Sequence, residues 1–397
     1  MCEHTLLNDD SLNKNAVELK SSIVLDDIVD RISNAFDYKF IGSVTTQILI
    51  PDFPSEFNIG LIVGSSGSGK STLLKTFGDV EKIEWDNSKC IASHFNDFDD
   101  ASHRFGAVGL NSIPTWLKPY NVLSTGEKFR ADMSRLLHDN AIIDEFTSVV
   151  NRECAISCSC SISKYIRTNN LKNVVFASCH DDIIEYLEPD WVYNTDNHEL
   201  SIGRYLRQSK NIVLEVCQCD KQVWSMFSKY HYLSAQLNES ADCYLLTWNK
   251  TPVAFGAIIA MPGRFGADTR KCVSEHRIVV LPDFQGMGIG NKFSEYLGEL
   301  YTSQNYRYFG KTANPRMGEH RQRHSDLWRP TSSNLKKRSD KDSIDSTKLK
   351  LRPRGRNTSI ESVINTLTRV CYSHEYIGNN NIHFQSLKTN LLQQTLF

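Results

Sequence analysis

The sequence predicts a mixed α/β fold with two domains, an α/β domain built around a phosphate-binding loop and then an α+β domain. At 397 residues the chain exceeds the size at which a single core is usual. An apolar run at 59–63 leads into a glycine-rich loop at 64–71, and a second run at 277–281 leads into another at 285–290. Residues with helical character follow both loops. The two loops differ in spacing, which indicates two different ligands.

The composition excludes several classes of protein. Lys and Arg number 45 against 46 Asp and Glu, so no overall field favours nucleic acid and any basic surface must be local. Eleven cysteines without a secretion signal favour free thiols in the cytoplasm over a disulfide framework. The cysteines at 154, 158 and 160 and at 217 and 219 lack a second half of a metal site, so structural thiols are expected. The apolar runs are shorter than the ~20 residues of a membrane helix.

The first loop fits the pattern GxxxxGK[ST]. In that pattern the backbone N–H groups and Lys70 surround nucleotide phosphates, and Ser71 reaches Mg²⁺. A flexible Gly/Ser turn is the alternative, and the apolar strand before the loop and the helix after it argue against it. ATP and Mg²⁺ are therefore the expected ligands. The residues expected to bind them are Gly64, Ser65, Ser66, Gly67, Ser68, Gly69, Lys70, Ser71 and Thr72.

Two carboxylates, Asp144 and Glu145, end a later apolar run at 141–143. At a strand end, Asp144 can hold the Mg²⁺ shell and Glu145 can orient or deprotonate water. An isolated Asp-Glu pair is usually only solvated, so its meaning depends on the neighbouring motifs. The segment Leu-Ser-Thr-Gly-Glu-Lys at 123–128 precedes the pair, and an apolar run ending at His180 follows it.

This order of motifs resembles that of the ATP-binding-cassette (ABC) proteins over roughly residues 20 to 200. The segment 123–128 is similar to the LSGGQ signature, and His180 matches the switch histidine, which contacts the γ-phosphate. The resemblance implies a homodimer with two ATP molecules at its interface. Ser124 and Gly126 would then reach the ATP of the opposing chain. A helix N-cap is the alternative role of Ser124, and both roles can coexist.

The chain departs from the family pattern in ways that bear on function. Lys70 and Ser124 are 54 positions apart (124 − 70), which is shorter than in transporter cassettes and favours a cassette without a membrane partner. Asn151 stands where the family has an Asp, which leaves the cross-dimer contact open and allows slow hydrolysis. No glutamine stands clearly in the loop where the family places one. The candidates for its role are His94, Asn96 and Asp97.

The second half of the chain changes to strand-like segments from about Val213. The segments at 244–248 and 253–259 flank a turn at 249–251, which predicts a hairpin. The loop Gln-Gly-Met-Gly-Ile-Gly at 285–290 then opens into a helix with Phe293 and Leu297 on one face. Strand, glycine turn and helix N-terminus together present N–H donors to a pyrophosphate.

This arrangement resembles motif A, [QR]xxGxG, of the GNAT acyltransferases. The resemblance implies acetyl-CoA or another acyl-CoA as cofactor, with the strand at 278–281 pairing with the pantetheine arm. An ordinary tight turn is the alternative. A dinucleotide-binding loop is excluded because the spacing is not GxGxxG and no acidic ribose ligand is evident. The residues implied in binding are Ile278, Val279, Val280, Leu281, Gln285, Gly286, Met287, Gly288, Ile289 and Gly290.

The acyl acceptor and the residues that transfer protons are less well defined. The chemistry needs a base to free the acceptor amine and an acid for the departing thiolate. Candidates lie beside the motif A strand and in a polar, aromatic stretch at 229–234, and each can equally be structural. They are His231, Tyr232, Glu275 and His276, with Tyr301 and Tyr308 as further possibilities.

The whole layout resembles prokaryotic ATPases fused to a predicted acetyltransferase, whose GNAT half is similar to the Mom-type enzymes with which phages modify DNA bases. Residues 331–356 carry nine Lys/Arg against three Asp, a net of +6 (9 − 3). This stretch is either a solvated loop or an arm that tracks phosphates, and Trp328 before it could add stacking. The leading hypothesis is an ATP-dependent acyltransferase acting on a base of DNA or RNA. The alternatives are a protein or small-amine acetyltransferase and a regulatory ATPase with a non-catalytic GNAT fold.

These observations predict the organisation of the chain. It comprises a flexible N-terminus at 1–20, an ABC-type ATPase domain at 21–205, a GNAT-like acyltransferase domain at 211–330, a basic flexible insertion at 331–358, a return segment of the GNAT domain at 359–380 and a C-terminal tail at 381–397.

Overall fold

The computed structural model describes residues 3–5, 16–203, 206, 212–231, 236–261, 268–336 and 370–378. Tyr232, most of the basic insertion, the start of the return segment and the C-terminal tail lie outside these residues. The chain forms two compact units, as the sequence predicts. The first unit comprises 1–108 and 117–210, and the second comprises 109–116 and 211–397.

The strands are β1 (Glu3–Thr5), β2 (Ala16–Ser22), β3 (Ser43–Leu49), β4 (Ile59–Val63), β5 (Ile142–Ile143), β6 (Val174–Ser178), β7 (Trp191–Asn194), β8 (Glu199–Ile202), β9 (Glu215–Gln218), β10 (Asp242–Trp248), β11 (Thr251–Met261), β12 (Cys272–Val280), β13 (Arg307–Thr312), β14 (Trp328–Pro330) and β15 (Tyr372–Tyr376). The helices are α1 (Asp27–Ala35), α2 (Lys70–Leu74), α3 (Phe98–Ala107), α4 (Ile113–Trp116), α5 (Thr125–Leu136), α6 (Arg152–Thr168), α7 (Ile184–Leu187), α8 (Trp224–Phe227), α9 (Ile289–Thr302) and α10 (Pro315–Arg323).

The first unit is organised by a five-stranded sheet in the order β5-β6-β4-β7-β8. Its strands are parallel except β8, which pairs antiparallel with β7. Every residue of β4 and β6 is buried, as expected for parallel strands covered on both faces. Because the carboxyl ends of parallel strands meet at one edge, the segments that follow β4, β5 and β6 are brought to the same edge of the sheet.

An antiparallel sheet of β1, β2 and β3 belongs to the same unit. Residues 16–20 therefore lie in a strand, whereas the sequence placed them in a flexible N-terminus. Strand β2 pairs with β3 over its whole length, from Ala16 opposite Leu49 to Ser22 opposite Ser43, and this ladder satisfies the backbone there.

The segment 109–116 also differs from the expected organisation, because it was assigned to the first domain and belongs to the second unit. Leu110 and Trp116 within it are buried. The indole N–H of Trp116 donates to the carbonyl of Leu110 at 2.6 Å, which satisfies a polar group of this buried side chain.

The second unit contains a seven-stranded sheet in the order β14-β15-β13-β12-β11-β10-β9. All neighbours are antiparallel except β12 and β13, which helix α9 connects. The predicted hairpin is confirmed as β10 and β11, with Asn249 and Lys250 both at positive φ, as a tight turn between twisted strands requires. Strand β15 lies between β13 and β14, so the predicted closing strand is confirmed.

The close packing of β4 in the core of the first unit can be tested by mutation. Trp191 is fully buried, and a Cβ added at Gly60 would lie 2.1 Å from its ring. We expect Gly60→Ala to destabilise the unit by about 1–3 kcal/mol because a buried indole has no room to move. A lower melting temperature in calorimetry checks this.

Gly126→Ala is the matched control. Gly126 lies in helix α5, and an added Cβ would be 3.8 Å from the sulfur of Cys154, an ordinary contact. Alanine favours a helix over glycine, so this variant should keep or raise the melting temperature. A Gly60→Ala protein as stable as Gly126→Ala would contradict the packing described above.

Candidate functional site

The loop after β4 has the backbone that a phosphate cradle needs. Gly67 and Gly69 have φ of 81° and 91°, and Gly64 has φ of 152°, conformations that side chains disfavour. Gly69 is also the N-cap of α2 and offers no side chain there, so N–H groups of the first turn are left for a ligand. The sequence prediction of a phosphate-binding loop thus has its local geometry.

Lys70 is folded back onto the loop. Its ammonium donates to the carbonyl oxygens of Gly64 at 2.8 Å and Ser65 at 2.6 Å. These contacts hold the cation above the concave side of its own loop. A triphosphate would offer the ammonium charged acceptors in place of neutral carbonyls, and such charge-assisted bonds are stronger.

Asp196 and Thr195, which follow β7, support this loop and were missed by the sequence analysis. The backbone N–H and the hydroxyl of Ser65 donate to the Asp196 carboxylate at 2.8 and 2.7 Å. These hydrogen bonds lower the pKa of Asp196. The hydroxyl of Ser68 lies 2.6 Å from that of Thr195. Nothing in the local sequence marks the pair, because the two segments meet only through the sheet order.

The candidate residues for metal binding and hydrolysis follow β5 and β6, whose carboxyl ends lie at the same edge of the sheet as that of β4. Asp144 is half-buried directly after β5, and its carboxylate accepts the N–H of Glu145 at 2.8 Å. Glu145 is exposed with φ of 51°. His180 follows β6 and is half-buried, and its N–H donates to the Ser178 hydroxyl at 3.0 Å. Oxygen ligands such as Ser71 and Asp144 suit Mg²⁺.

The signature segment forms the start of α5. Ser124 is its N-cap and makes a capping box, in which Glu127 N–H donates to the Ser124 hydroxyl and Ser124 N–H donates to the Glu127 carboxylate at 2.9 Å. The helix-capping role of Ser124 is therefore present. Its N–H is occupied within the chain, so it would have to leave Glu127 to reach a nucleotide of another copy.

The residues considered for the missing glutamine all have local partners. His94 receives the N–H of Asp86 at its Nε2, and its Nδ1 lies 3.1 Å from the Cys90 carbonyl. Asp97 caps α3, and the Asn96 amide bonds to the carboxylate of a residue in that helix. Asn151 likewise caps α6. Asp97 and Asn151 are thus used to begin helices, while His94 ends a short 3-10 helix.

In the second unit, the loop at 285–290 also ends in a left-handed glycine. Gly286 and Gly288 have φ of 98° and 85°, and Gly288 caps α9 without a side chain. The N–H groups of Ile289 and the residues after it begin the helix and have no intrahelical acceptor. The Gln285 side chain donates to the Val280 carbonyl at 2.9 Å and accepts the N–H of Asn111 at 3.0 Å, which fixes the loop against the end of β12.

The strand before this loop has an open edge. Strand β12 pairs with β13 only from Cys272 to Ser274, while its other edge pairs with β11 as far as Val280. Within the described residues no strand pairs with the β13-facing edge of 275–280. The register with β11 shifts between Ala257 and Ile258, which leaves His276 as the extra residue of a bulge. An extended ligand arm can therefore pair with this edge, from the loop at 285–290 to the bulge.

Glu275, the first residue beyond the last β12–β13 pair, is buried in a polar cluster. Both carboxylate oxygens accept from one Arg321 nitrogen, at 2.9 and 2.7 Å, and Tyr308 donates at 3.0 Å. Ser294 donates to the same carboxylate. The Glu275 and Arg321 side chains are 5% and 1% exposed. These contacts occupy both oxygens of the Glu275 carboxylate.

Four buried nitrogens near this cluster have no hydrogen-bond partner in the described part of the chain. They are Nη1 of Arg321, Nε1 of Trp328 and both ring nitrogens of His374. Burial and the Arg321 cation lower the pKa of His374 to about 4. His374 is therefore neutral at pH 7.

The other predicted proton-transfer residues have different surroundings. His276 accepts the N–H of Asn238 at 3.1 Å, and burial with the Arg277 cation lowers its pKa to about 4. His231 is half-buried, with its ring 5.9 Å from that of Trp224. Tyr301 donates to Asp242 at 2.9 Å. The structure does not bring His231 and Glu275 into contact, and Tyr232 lies outside the described residues.

A pair of ionisable side chains that the sequence analysis missed links α9 and α10. Nε2 of His320 lies 2.8 Å from one oxygen of Glu295, and Lys292 bonds to the other oxygen at 2.8 Å. Burial favours the neutral form of Glu295, but the hydrogen bonds from His320 and Lys292 outweigh it and lower its pKa. The sequence spacing of 25 residues gives no sign of this pairing.

The stretch at 321–329 differs from the expectation of a nucleic-acid surface. Trp328 is 1% exposed, and the guanidinium of Arg321 lies 4.3 Å from its ring centre. Trp328 is thus a core residue and cannot stack on a base. Arg329 pairs with Glu375, while Arg323 is exposed.

The cysteines of the predicted cluster at 154–160 lie in helix α6. Cys154 and Cys158 are buried and form no disulfide, and burial raises the pKa of Cys160 to about 12. No cluster of three or more His, Cys, Asp or Glu residues suited to a metal ion occurs in the described ranges. Among the same residues, no helix has the length and apolar character needed to cross a membrane.

The ion pair at Glu275 predicts an asymmetric response to mutation. Arg321→Met should destabilise the unit by about 3–5 kcal/mol because it leaves a buried carboxylate without its cation. The double variant Glu275→Met/Arg321→Met should recover much of this loss, since no charge then remains. Denaturant unfolding of the full chain measures both. A loss below about 1 kcal/mol for Arg321→Met, as for an exposed pair, would refute the buried pairing.

Part of the second unit matches a known protein family. Residues 210–317 match the model of the Acetyltransferase (GNAT) family. The chain is similar to an acetyltransferase of Bacillus subtilis in complex with CoA, at 9% identity and a TM-score of 0.28, covering 42% of this chain and 97% of that chain. It is similar to a GNAT family acetyltransferase of Elizabethkingia anophelis with acetyl-CoA bound, at 13% identity and a TM-score of 0.24, covering 41% and 96%.

The chain is also similar to a solved structure of an ABC transporter cassette. The dimeric bacterial ABC transporter cassette MJ0796 is 14% identical with a TM-score of 0.29, covering 38% of this chain and 87% of that chain. The comparison with curated proteins gave no match.

Proposed function

From the GNAT domain at residues 210–317, we propose that this chain is an acyl-CoA-dependent N-acyltransferase joined to an ATP-hydrolysing unit, and that it modifies a nucleic-acid base. The open edge of β12 carries the acyl-transfer part of the proposal. It runs from the glycine loop at 285–290 to the bulge at His276, and so offers backbone groups along the length of an extended arm.

The residues of the second unit fit an acyl-CoA. The first N–H groups of α9 and the positive end of its dipole suit a pyrophosphate, and Gly288 leaves the approach open because a Cβ there would meet nothing within 4 Å. The strand at 278–280 can pair with the amides of the pantetheine arm, which directs the thioester towards His276. The bound thioester supplies an acyl group activated for attack by an amine. The chain must then align that amine and move one proton.

The residues of the first unit fit ATP with Mg²⁺. Lys70 can exchange its loop carbonyls for phosphate oxygens, and Ser71 with Asp144 would hold the metal. Glu145 would orient or deprotonate water, and His180 would contact the γ-phosphate. A homodimer is proposed because the signature residues Ser124 and Gly126 serve the ATP of a second copy in the ABC family.

The acceptor is the least constrained part of the proposal. Exposed Arg323 and Lys336, which begins the basic stretch, support a polymer of phosphates. The burial of Trp328 favours a second candidate, a protein lysine or a small amine, because it removes the aromatic residue predicted to stack on a base. The two candidates differ in whether acyl transfer requires a polymer.

Acyl transfer from labelled acetyl-CoA to duplex DNA, tRNA and protein extract, each with and without ATP, tests the proposal. We expect ATP-dependent label on a nucleic acid. Gly288→Val is the control, because a β-branched residue at φ of 85° is strained and should disrupt the pyrophosphate loop. Label on protein alone would support the second candidate. Acetyl-CoA binding without transfer to any acceptor would indicate a regulatory domain.

The proposed role of Glu145 in hydrolysis predicts that a variant at this position is trapped as an ATP-bound dimer. Glu145→Gln should bind ATP but not hydrolyse it, and should accumulate as an ATP-bound dimer because the closed state is no longer released by hydrolysis. Light scattering after gel filtration with ATP measures the mass. Lys70→Ala, which loses the phosphate-binding cation, is the matched control and should stay monomeric. A monomeric Glu145→Gln protein with ATP bound would contradict the assignment.

A further inference from the structure

We infer that His320, oriented by Glu295, is the residue that carries the proton from the acceptor amine to the thiolate during acyl transfer. This inference rests on the proposed acyltransferase function and names the proton-transfer residue of that same site. It differs from the sequence expectation, which placed the base among His231, Tyr232, Glu275 and His276. Three features of His320 support this role: its position, its open ring nitrogen and the partner of its other nitrogen.

The position of His320 follows from the contacts of its neighbours. Arg321, the next residue of α10, bonds to Glu275 at 2.7 Å, and Ser294, the residue before Glu295 on α9, bonds to the same carboxylate. Glu275 adjoins the bulge at His276, at the far end of the open edge from the glycine loop. The helix turns that carry His320 and Glu295 are thus anchored, through the adjacent residues, to the end of β12 to which a thioester would extend.

The hydrogen bond between His320 and Glu295 fixes the state of the ring. An ionised Glu295 can only accept a hydrogen bond, so Nε2 of a neutral His320 carries the proton and Nδ1 carries a lone pair. Nδ1 has no hydrogen-bond partner within the described residues, and the side chain is 18% exposed. A carboxylate behind an imidazole both orients it and stabilises the cation formed when it accepts a proton.

Other ionisable side chains near His320 bond to other partners. Lys292 pairs with the second oxygen of Glu295, which keeps that carboxylate ionised. The ring of His324 lies 4.0 Å from that of His320, but its Nδ1 is 2.8 Å from the His320 carbonyl and is therefore occupied. Arg321 is committed to Glu275. Within this group, His320 differs from His324 in that a carboxylate rather than a carbonyl accepts from its ring, and a carboxylate stabilises the imidazolium formed during transfer.

The proton transfer balances without another reactant. The amine nitrogen bonds to the acyl carbon and loses a proton to Nδ1 of His320, while Glu295 stabilises the resulting imidazolium. The carbon–sulfur bond then breaks, and its electron pair stays on sulfur. The sulfur takes the proton from Nδ1, which restores neutral His320. The products are the amide and free coenzyme A thiol.

Carbethoxylation of histidines by diethyl pyrocarbonate, followed by peptide mass spectrometry, tests the position of His320 in the full wild-type chain. The reagent attacks an unprotonated ring nitrogen. At acetyl-CoA about ten times its dissociation constant we expect modification of His320 to slow about tenfold, because roughly one site in ten is then empty. Adenosine 3′,5′-bisphosphate, which lacks the pantetheine arm, should leave the rate unchanged.

His103 provides an internal reference, because it is exposed and lies in the first unit. Its modification should not respond to acetyl-CoA. Equal protection of His320 by both ligands, or protection by neither, would overturn the inference. The experiment needs no acceptor, so protection of His320 without transfer to any acceptor would place the fault in the proposed function.

Where transfer is observed, variants separate proton transfer from binding. His320→Gln should lower kcat by about 10²–10⁴-fold and leave the dissociation constant of acetyl-CoA unchanged by calorimetry. Glu295→Ala should lower kcat, and Glu295→Gln should recover part of the loss because its amide oxygen still accepts from Nε2. Gln322→Ala, at an exposed position of α10, is the control and should retain most of the rate. Wild-type kcat in His320→Gln would refute the role.

Discussion

The second unit depends on one buried ion pair, between Glu275 and Arg321. The cost of burying a carboxylate is offset only because a guanidinium, a serine hydroxyl and a tyrosine hydroxyl surround it. These donors come from α10, α9 and β13, and Glu275 itself comes from β12. The ion pair therefore joins the elements that border the open strand edge. Glu275 lies directly after the last β12–β13 pair, so the ion pair is located where the two strands separate and where α9 packs beside α10.

The two glycine loops solve the same physical problem with different charges. Each ends in a left-handed glycine that caps the following helix without a side chain, Gly69 with φ of 91° and Gly288 with φ of 85°. Each therefore leaves backbone donors facing a ligand. The first loop adds the ammonium of Lys70, which matches the high charge of a triphosphate. The second has no cation in its six residues and relies on the helix dipole, which suits a pyrophosphate.

The mixed α/β fold, the two loops, the hairpin and the closing strand could be predicted from the sequence, because each depends on neighbouring residues. The support of Ser65 by Asp196 and the pairing of His320 with Glu295 could not, because sheet order and helix packing create them. The same holds for Trp328, whose polar sequence neighbours conceal its burial. Local sequence thus predicted the two glycine-rich loops and the elements that flank them, and long-range packing determined which ionisable side chains contact one another.

The segment 109–116 interrupts the first unit and belongs to the second. The covalent chain consequently enters the second unit, leaves it after Trp116 and returns after residue 210. A single cut after residue 210 therefore does not yield two complete units. The N-terminal fragment would keep residues 109–116, which belong to the second unit, and the C-terminal fragment would lose the N–H that Gln285 accepts. Truncating the gene at one point therefore cannot remove one unit and leave the other whole. Loss of the second unit alone also requires an internal deletion of residues 109–116.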